Sequence, residues 1–144
     1  MMSELAEITF EDVPVRSIDL IVSDLFGMTP HNEAAIAEFL QAGSDDVLSL
    51  KSMDARFGDI VLPDCLVRIL RYGEKYDIEV IWDLDSPRFH LEKKTLKYIR
   101  TVSANISAKY SVAQSHGGLE PSSDLNTRFF TGVDDGPLSR LFVE

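Results

Sequence analysis

Ile78-Glu79-Val80-Ile81-Trp82-Asp83-Leu84 is the most strand-like stretch of the chain, and the fold is read outward from it. Ile78, Val80, Trp82 and Leu84 share one face of an extended segment while Glu79, Ile81 and Asp83 take the other, because successive side chains of a strand point to opposite sides. Ile81 on the otherwise polar side predicts that both faces of this strand are covered. An apolar strand of this kind needs neighbours, so a sheet is expected around residues 78–84.

Upstream, Ile8–Phe10 reads as a short strand closed by Pro14, with residues 1–7 loose. Val15–Phe26 fits two periods. Ile18, Leu20 and Val22 alternate as in a strand, whereas Ile18, Ile21, Val22, Leu25 and Phe26 form a helical stripe; β-branching and short length favour the strand. Thr29-Pro30 supplies an N-cap and a first-turn proline for a helix over 30–42, with Ala35, Ile36, Phe39 and Leu40 facing inward and Gly43 ending it. Val47–Leu50 is expected to return as a strand and complete a β-α-β unit. Pro63 is expected to open a second helix whose stripe is Leu66, Ile69, Leu70, Gly73 and Tyr76.

Downstream, Ser86-Pro87 is expected to cap a third helix reaching about Tyr110, with Lys93, Lys97 and Arg100 on its polar face. Residues 111–126, which include Gly117-Gly118 and Pro121, read as a long loop. Arg128–Thr131 reads as a short strand, Asp134–Pro137 as a turn, and Leu138–Val143 as an apolar segment that docks on the core. The expected fold is α/β or α+β: a single small domain over 1–144, a mixed β-sheet with about three helices packed on it.

The 144 residues, 44% of them hydrophobic, are enough for one core. The net charge of −10 is unevenly placed: 18 acidic and 6 basic residues over Met1–Ser86, 1 and 6 over Pro87–Ala113, and 5 and 2 thereafter. Clustered charge of one sign steers partners of the other. The acidic balance argues against direct nucleic-acid binding. No run approaches the ~18 apolar residues of a membrane span, and the N-terminus lacks the basic and apolar regions of a secretory signal. Cys65, the sole cysteine, excludes an intramolecular disulfide and reads as a small buried hydrophobe in a reducing, cytoplasmic protein. No cofactor is implied.

Val80-Ile81-Trp82-Asp83-Leu84-Asp85-Ser86 resembles the first motif of haloacid-dehalogenase-type phosphatases. The resemblance implies Asp83 as nucleophile and Asp85 as general acid/base beside Mg²⁺, with Lys109 and the pair Asp134-Asp135 completing the site. The same residues also read as a helix start, with Ser86 as N-cap and Asp85 favoured by the helix dipole. His31, His90 and His116 have no metal-ligand spacing, and no metal site is expected. His116 stands out for its place beside Gly117-Gly118, where backbone can approach a ligand.

The carboxylates come in clusters, and Asp45, Asp46, Asp54, Asp59 and Asp64 surround a segment that also holds Phe57, Met53 and Leu62. Carboxylates rimming an aromatic anchor suit a binder of a basic protein, because charge speeds encounter and the buried ring holds the complex. Lys93, Lys97 and Arg100 form a secondary basic patch, either a solvated face or a hold for an anionic group. The expected function is therefore that of a small acidic cytoplasmic binding protein. By analogy of class, it is an immunity- or antitoxin-type inhibitor that occludes the active site of a basic protein such as a nuclease toxin. Two alternatives stand beside it: a Mg-dependent phosphoryl-transfer enzyme using Asp83 and Asp85, and a structural or assembly subunit associating through Leu138–Val143.

Overall fold

The computed structural model describes residues 4–42 and 44–144. Chain order is β1 (Leu5–Glu11), a 3₁₀ turn (Val15–Ser17), α1 (Ile18–Phe26), α2 (Pro30–Ala42), β2 (Val47–Phe57), β3 (Ile60–Tyr72), β4 (Lys75–Asp83), α3 (Lys93–Lys109), β5 (Gln114–Gly118), β6 (Arg128–Thr131) and β7 (Asp134–Asp135). Among the described residues the strands form one sheet in the order β2-β3-β4-β1-β5-β6-β7, and every neighbouring pair is antiparallel. With three helices on that sheet, the domain is α+β.

The strand read first, β4, sits inside the sheet between β3 and β1. Its Ile78, Val80 and Trp82 line up with Phe10, Ile8 and Ala6 of β1, and all six are buried. Across β3, Val67 and Ile69 continue the same face. Onto it pack Ile18, Ile21, Val22 and Leu25 of α1, Ile36 and Phe39 of α2, and Leu96, Ile99 and Ile106 of α3, in one continuous core. Cys65 lies within this core, where burial pushes its thiol up to about 12, so it behaves as the expected inert hydrophobe.

Four expectations are corrected. Residues 18–26 are helical because the stripe at i, i+3, i+4 and i+7 is the buried one, while Leu20, which strand alternation placed inside, is largely exposed. The helix expected after Pro63 is instead the long β3, whose Leu62, Cys65, Val67 and Ile69 are buried. Two-residue loops, Gly58-Asp59 and Gly73-Glu74, fold 47–83 into consecutive hairpins, each loop opening on a glycine of positive φ (65° and 73's 61°) that suits such a turn. The β-α-β unit does not form, since β2 lies at the sheet edge three places from β1. The third helix starts at Lys93 rather than Pro87. Residues 86–91 turn instead to carry Phe89 against Trp82 and Phe142, with ring centroids 5.6 and 6.4 Å away.

The ends also differ from expectation. Leu5–Glu7 of the stretch expected to be loose are paired with β4, while Met1–Ser3 and Gly43 lie outside the described residues. The long loop over 111–126 contains β5, a strand paired on both sides. The helix over 30–42 and the strand 128–131 form as read, and the C-terminal segment docks through the buried Phe142. Among the described residues no helix is long and apolar enough to cross a membrane.

Candidate functional site

The antiparallel hairpin β2–β3 divides the expected acidic rim in two. Asp45 and Asp46 precede β2, whereas Asp54, Asp59 and Asp64 cluster towards its far end; eight residues of extended chain separate Asp46 from Asp54, about 26 Å at ~3.3 Å per residue. At the far end, Asp54 Oδ1 accepts the Asp64 amide at 2.8 Å, Asp59 Oδ2 accepts the Tyr98 hydroxyl at 3.1 Å, and Asp54 stands 3.8 Å from Arg88. Asp64 adopts φ 54°, which turns the strand at this irregular part of the ladder. Phe57 is fully buried in the core, so it is unavailable as an exposed anchor.

Asp83 and Asp85 do come together, but as local caps. Asp83 Oδ1 accepts the Asp85 amide at 2.8 Å, and Asp85 Oδ2 accepts the Glu4 amide at 3.0 Å, fastening the end of β4 to the start of β1. The helix-start reading fails too, because Ser86 accepts the Arg88 amide within a turn that precedes α3. The phosphatase resemblance requires several βα units after this strand, whereas among the described residues α3 and β5 supply one and no α-helix follows. Lys109 pairs with Asp24 and Asp135 with Arg100, so neither reaches Asp83. Among the described residues no three metal-ligating side chains are assembled into a site.

Lys93, Lys97 and Arg100 line a surface groove of about 530 Å³ with Arg140, Asp135 and Glu144. Two of the three basic groups are already matched inside the chain: Lys93 to Glu144 at 3.1 Å and Arg100 to Asp135. The solvated-face reading of this patch therefore accounts for most of its charge.

A different grouping comes from the register. On the sheet face turned away from the helices, Ser49, Arg68, Glu79, Thr9, His116 and Thr131 stand opposite one another in a single row across six strands. In this row Arg68 Nη2 lies 2.6 Å from Glu79 Oε1 and 4.0 Å from Glu7 of the next row. His116 Nε2 lies 2.6 Å from Glu11 Oε1. Thr9 Oγ1 and His116 Nδ1 are buried on this face with no hydrogen-bond partner among the described residues. Partial burial and then the Glu79 carboxylate push the Glu7 carboxyl above its ordinary range. Asp77 is raised likewise, by burial first, with the neighbouring carboxylates of Glu11 and Asp12 acting in the same direction. Carboxylates on this face outnumber the basic groups Arg68, Lys75, Lys51 and Arg128 that stand with them. Sequence reading missed the row because it spans non-consecutive strands, although the alternation of Glu7, Thr9 and Glu11 between Ala6, Ile8 and Phe10 was a visible sign of a polar face.

Residues 23–134 match the family profile described as PABL017 Cdi1I immunity protein. The fold matches a chain of a crystal structure described as the toxic C-terminal tip of CdiA from Pseudomonas aeruginosa in complex with immune protein. The TM-score is 0.74 and the identity 25%, with 95% of this chain and 99% of that one covered. Among curated proteins nothing matches the chain.

Proposed function

The chain belongs to the PABL017 Cdi1I immunity protein family, and we propose that it binds the toxic tip of a CdiA-type protein one to one and covers the surface that does the damage. The observation that carries this reading is the family match, which runs from α1 through β7. The complex described for the similar structure, a toxic tip with its immune protein, supports the same kind of partner. Neutralisation by occlusion requires shape and charge but no catalytic group, which suits a chain whose Asp83 and Asp85 are occupied as backbone acceptors.

The charge supports a basic target. With 18 acidic against 6 basic residues over 1–86, the field of the chain draws in a positively charged groove, and the hairpin-end carboxylates Asp54, Asp59 and Asp64 contribute to encounter. Asp45 and Asp46 add negative potential at the opposite end of β2. The reading places the protein in the cytoplasm of the cell that makes it, where an incoming toxin acts.

The test is co-expression with the CdiA C-terminal tip encoded by the same strain. Growth is expected to be restored, and the purified pair is expected to elute as a 1:1 complex whose affinity falls with salt. Continued growth arrest together with separate elution of the two chains would overturn the reading.

A further inference from the structure

We infer that the helix-free face of the sheet, centred on Glu7, Arg68 and Ile81 and reaching Tyr72 at the β3–β4 turn, is the surface that holds the toxin, and that its occupant is a basic patch with apolar side chains of its own. This rests on the immunity reading above.

The chain leaves one face of its sheet without helices. Residues of one parity in β1, β3 and β4 meet α1, α2 and α3, and those of the other parity face away. Ile81 belongs to the second set: it is buried, yet lies outside the continuous core, opposite Leu66. Leu5, Val47 and Tyr72 share its parity and are 55%, 46% and 58% exposed. An antiparallel sheet with one face in water is normally polar on that face. Here Ile81 lies amid the charges and exposed apolar groups flank them, Leu5 beside Asp83 at one end and Val47 and Tyr72 towards the β3–β4 turn at the other.

The charges specify the sign of the partner. Glu7, Glu11, Asp77, Glu79 and Asp83 stand on the central strands β1 and β4, where Arg68 pairs with Glu79 at 2.6 Å and Lys75 with Asp12 at 3.5 Å, while Lys51 and Arg128 lie on the flanking strands and leave the acidic groups in excess. Glu7 and Asp77 have raised proton affinities, through burial first and neighbouring carboxylates second. An arriving lysine or arginine relieves the crowding, whereas an acidic or nucleic-acid surface worsens it. Thr9 Oγ1 and His116 Nδ1, buried and unpartnered among the described residues just beneath this face, are polar atoms that a water or partner group would satisfy once docking shifts the side chains covering them. Hairpin-end carboxylates and the sheet face then divide the work, the first speeding arrival and the second slowing departure.

The experiment measures association and dissociation of the same-strain CdiA tip with the full chain. One variant replaces the exposed apolar groups (Leu5→Ser, Val47→Ser, Tyr72→Ser), a second neutralises charge at constant shape (Glu7→Gln, Asp77→Asn), and a control alters the helix side (Leu20→Ser). Each face variant is expected to dissociate at least ten times faster than wild type, with the control within twofold. Face variants that melt like wild type and dissociate at the wild-type rate would overturn the assignment. So would a concentration-dependent dimer of the chain alone that Tyr72→Ser dissolves, since the face would then belong to a second copy. A wild-type chain that leaves the tip free overturns the immunity reading together with this one, whereas unaffected variants overturn only the surface.

Discussion

His116 Nε2 and Glu11 Oε1 stand 2.6 Å apart on the paired strands β5 and β1, with the imidazole fully buried. Burial lowers the proton affinity of this histidine, and Arg128 acts in the same direction, while Glu11 and Asp77 oppose without reversing the outcome. The folded protein therefore holds His116 neutral, and the unfolded chain protonates it below its ordinary value of about 6.5. Its contribution to stability is complete above that value and is lost as the pH falls from there towards the lowered folded value, because the unfolded chain binds the proton more readily. Urea midpoints are expected to drop between pH 7 and pH 5, and His116→Gln is expected to flatten that part of the profile. An unflattened profile would show that His116 titrates alike in both states.

Glu7 carries the opposite sign. Its folded proton affinity is raised, chiefly by burial and then by Glu79, so the stability it contributes is present at low pH and is lost as the pH rises through the folded value. At neutral pH its charge is held at a net cost despite Arg68 at 4.0 Å. Glu7→Gln is expected to raise stability at pH 7, by less than about 1 kcal/mol given the partial exposure, with the gain closing towards pH 4. Denaturation at both pH values checks this, and a loss at pH 7 would mean that the Arg68 pair outweighs the crowding.

How much of this was legible in the sequence depends on the range of the signal. The helix over 30–42 announced itself through Thr29-Pro30, and Thr29 Oγ1 does accept the Asn32 amide at 3.1 Å. β4 was equally clear, because period-two alternation is local. The hairpins were also written in the chain, as Gly58-Asp59 and Gly73-Glu74 between apolar runs, but the spacing from Leu66 to Tyr76 mimicked a helical stripe and masked them. β3 wins because Val67 and Ile69 meet a strand on both sides while Leu62 and Cys65 pair with β2, long-range partners that a helix-period reading cannot anticipate. The functional class followed from charge and size, whereas the polar row from Ser49 to Thr131 depends on strand order, which no local pattern encodes.

Arg71 fastens α2 to the sheet and gives a sharp test of side-chain chemistry. Its guanidinium donates to the carbonyls of Phe39 and, at 2.7 Å, Asp45, and it lies 4.5 Å from the centroid of the Phe39 ring and 5.6 Å from that of Tyr76. A lysine keeps the charge but loses the planar fork and the stacking. Arg71→Lys is expected to cost about 1–3 kcal/mol, with amide exchange accelerated first over 39–46. Uniform acceleration across the whole sheet would argue against a local clamp.

The hairpin-end carboxylates are expected to act on encounter alone. Asp54→Lys with Asp64→Lys should lower the association rate with the same-strain CdiA tip by about tenfold at low salt, and the difference should vanish near 0.5 M salt as the Debye length shrinks to a few ångströms. Dissociation is expected to stay within twofold of wild type. An effect confined to dissociation, insensitive to salt, would place these residues inside the contact instead.

Gly117 and Gly118 are strand residues, and what surrounds them sets different penalties for a methyl group. A Cβ at Gly118 would overlap the Thr127 carbonyl and stand 2.8 Å from Arg128 Cα, both backbone atoms of the next strand and its approach. At Gly117 it would meet the Phe130 ring at 2.5 Å, a side chain that can shift at some loss of packing. Gly132 has open space around it, and its φ of 59° leaves only backbone strain, about 1 kcal/mol for alanine. Backbone that must move disrupts the β5–β6 ladder, so Gly118→Ala is expected to be the most destabilising of the three, at about 3 kcal/mol or more. Gly117→Ala should be intermediate and Gly132→Ala mildest. Urea unfolding of the three variants checks the order. If Gly132→Ala cost the most, turn strain rather than the close approach of β5 and β6 would be the tighter constraint on this end of the sheet.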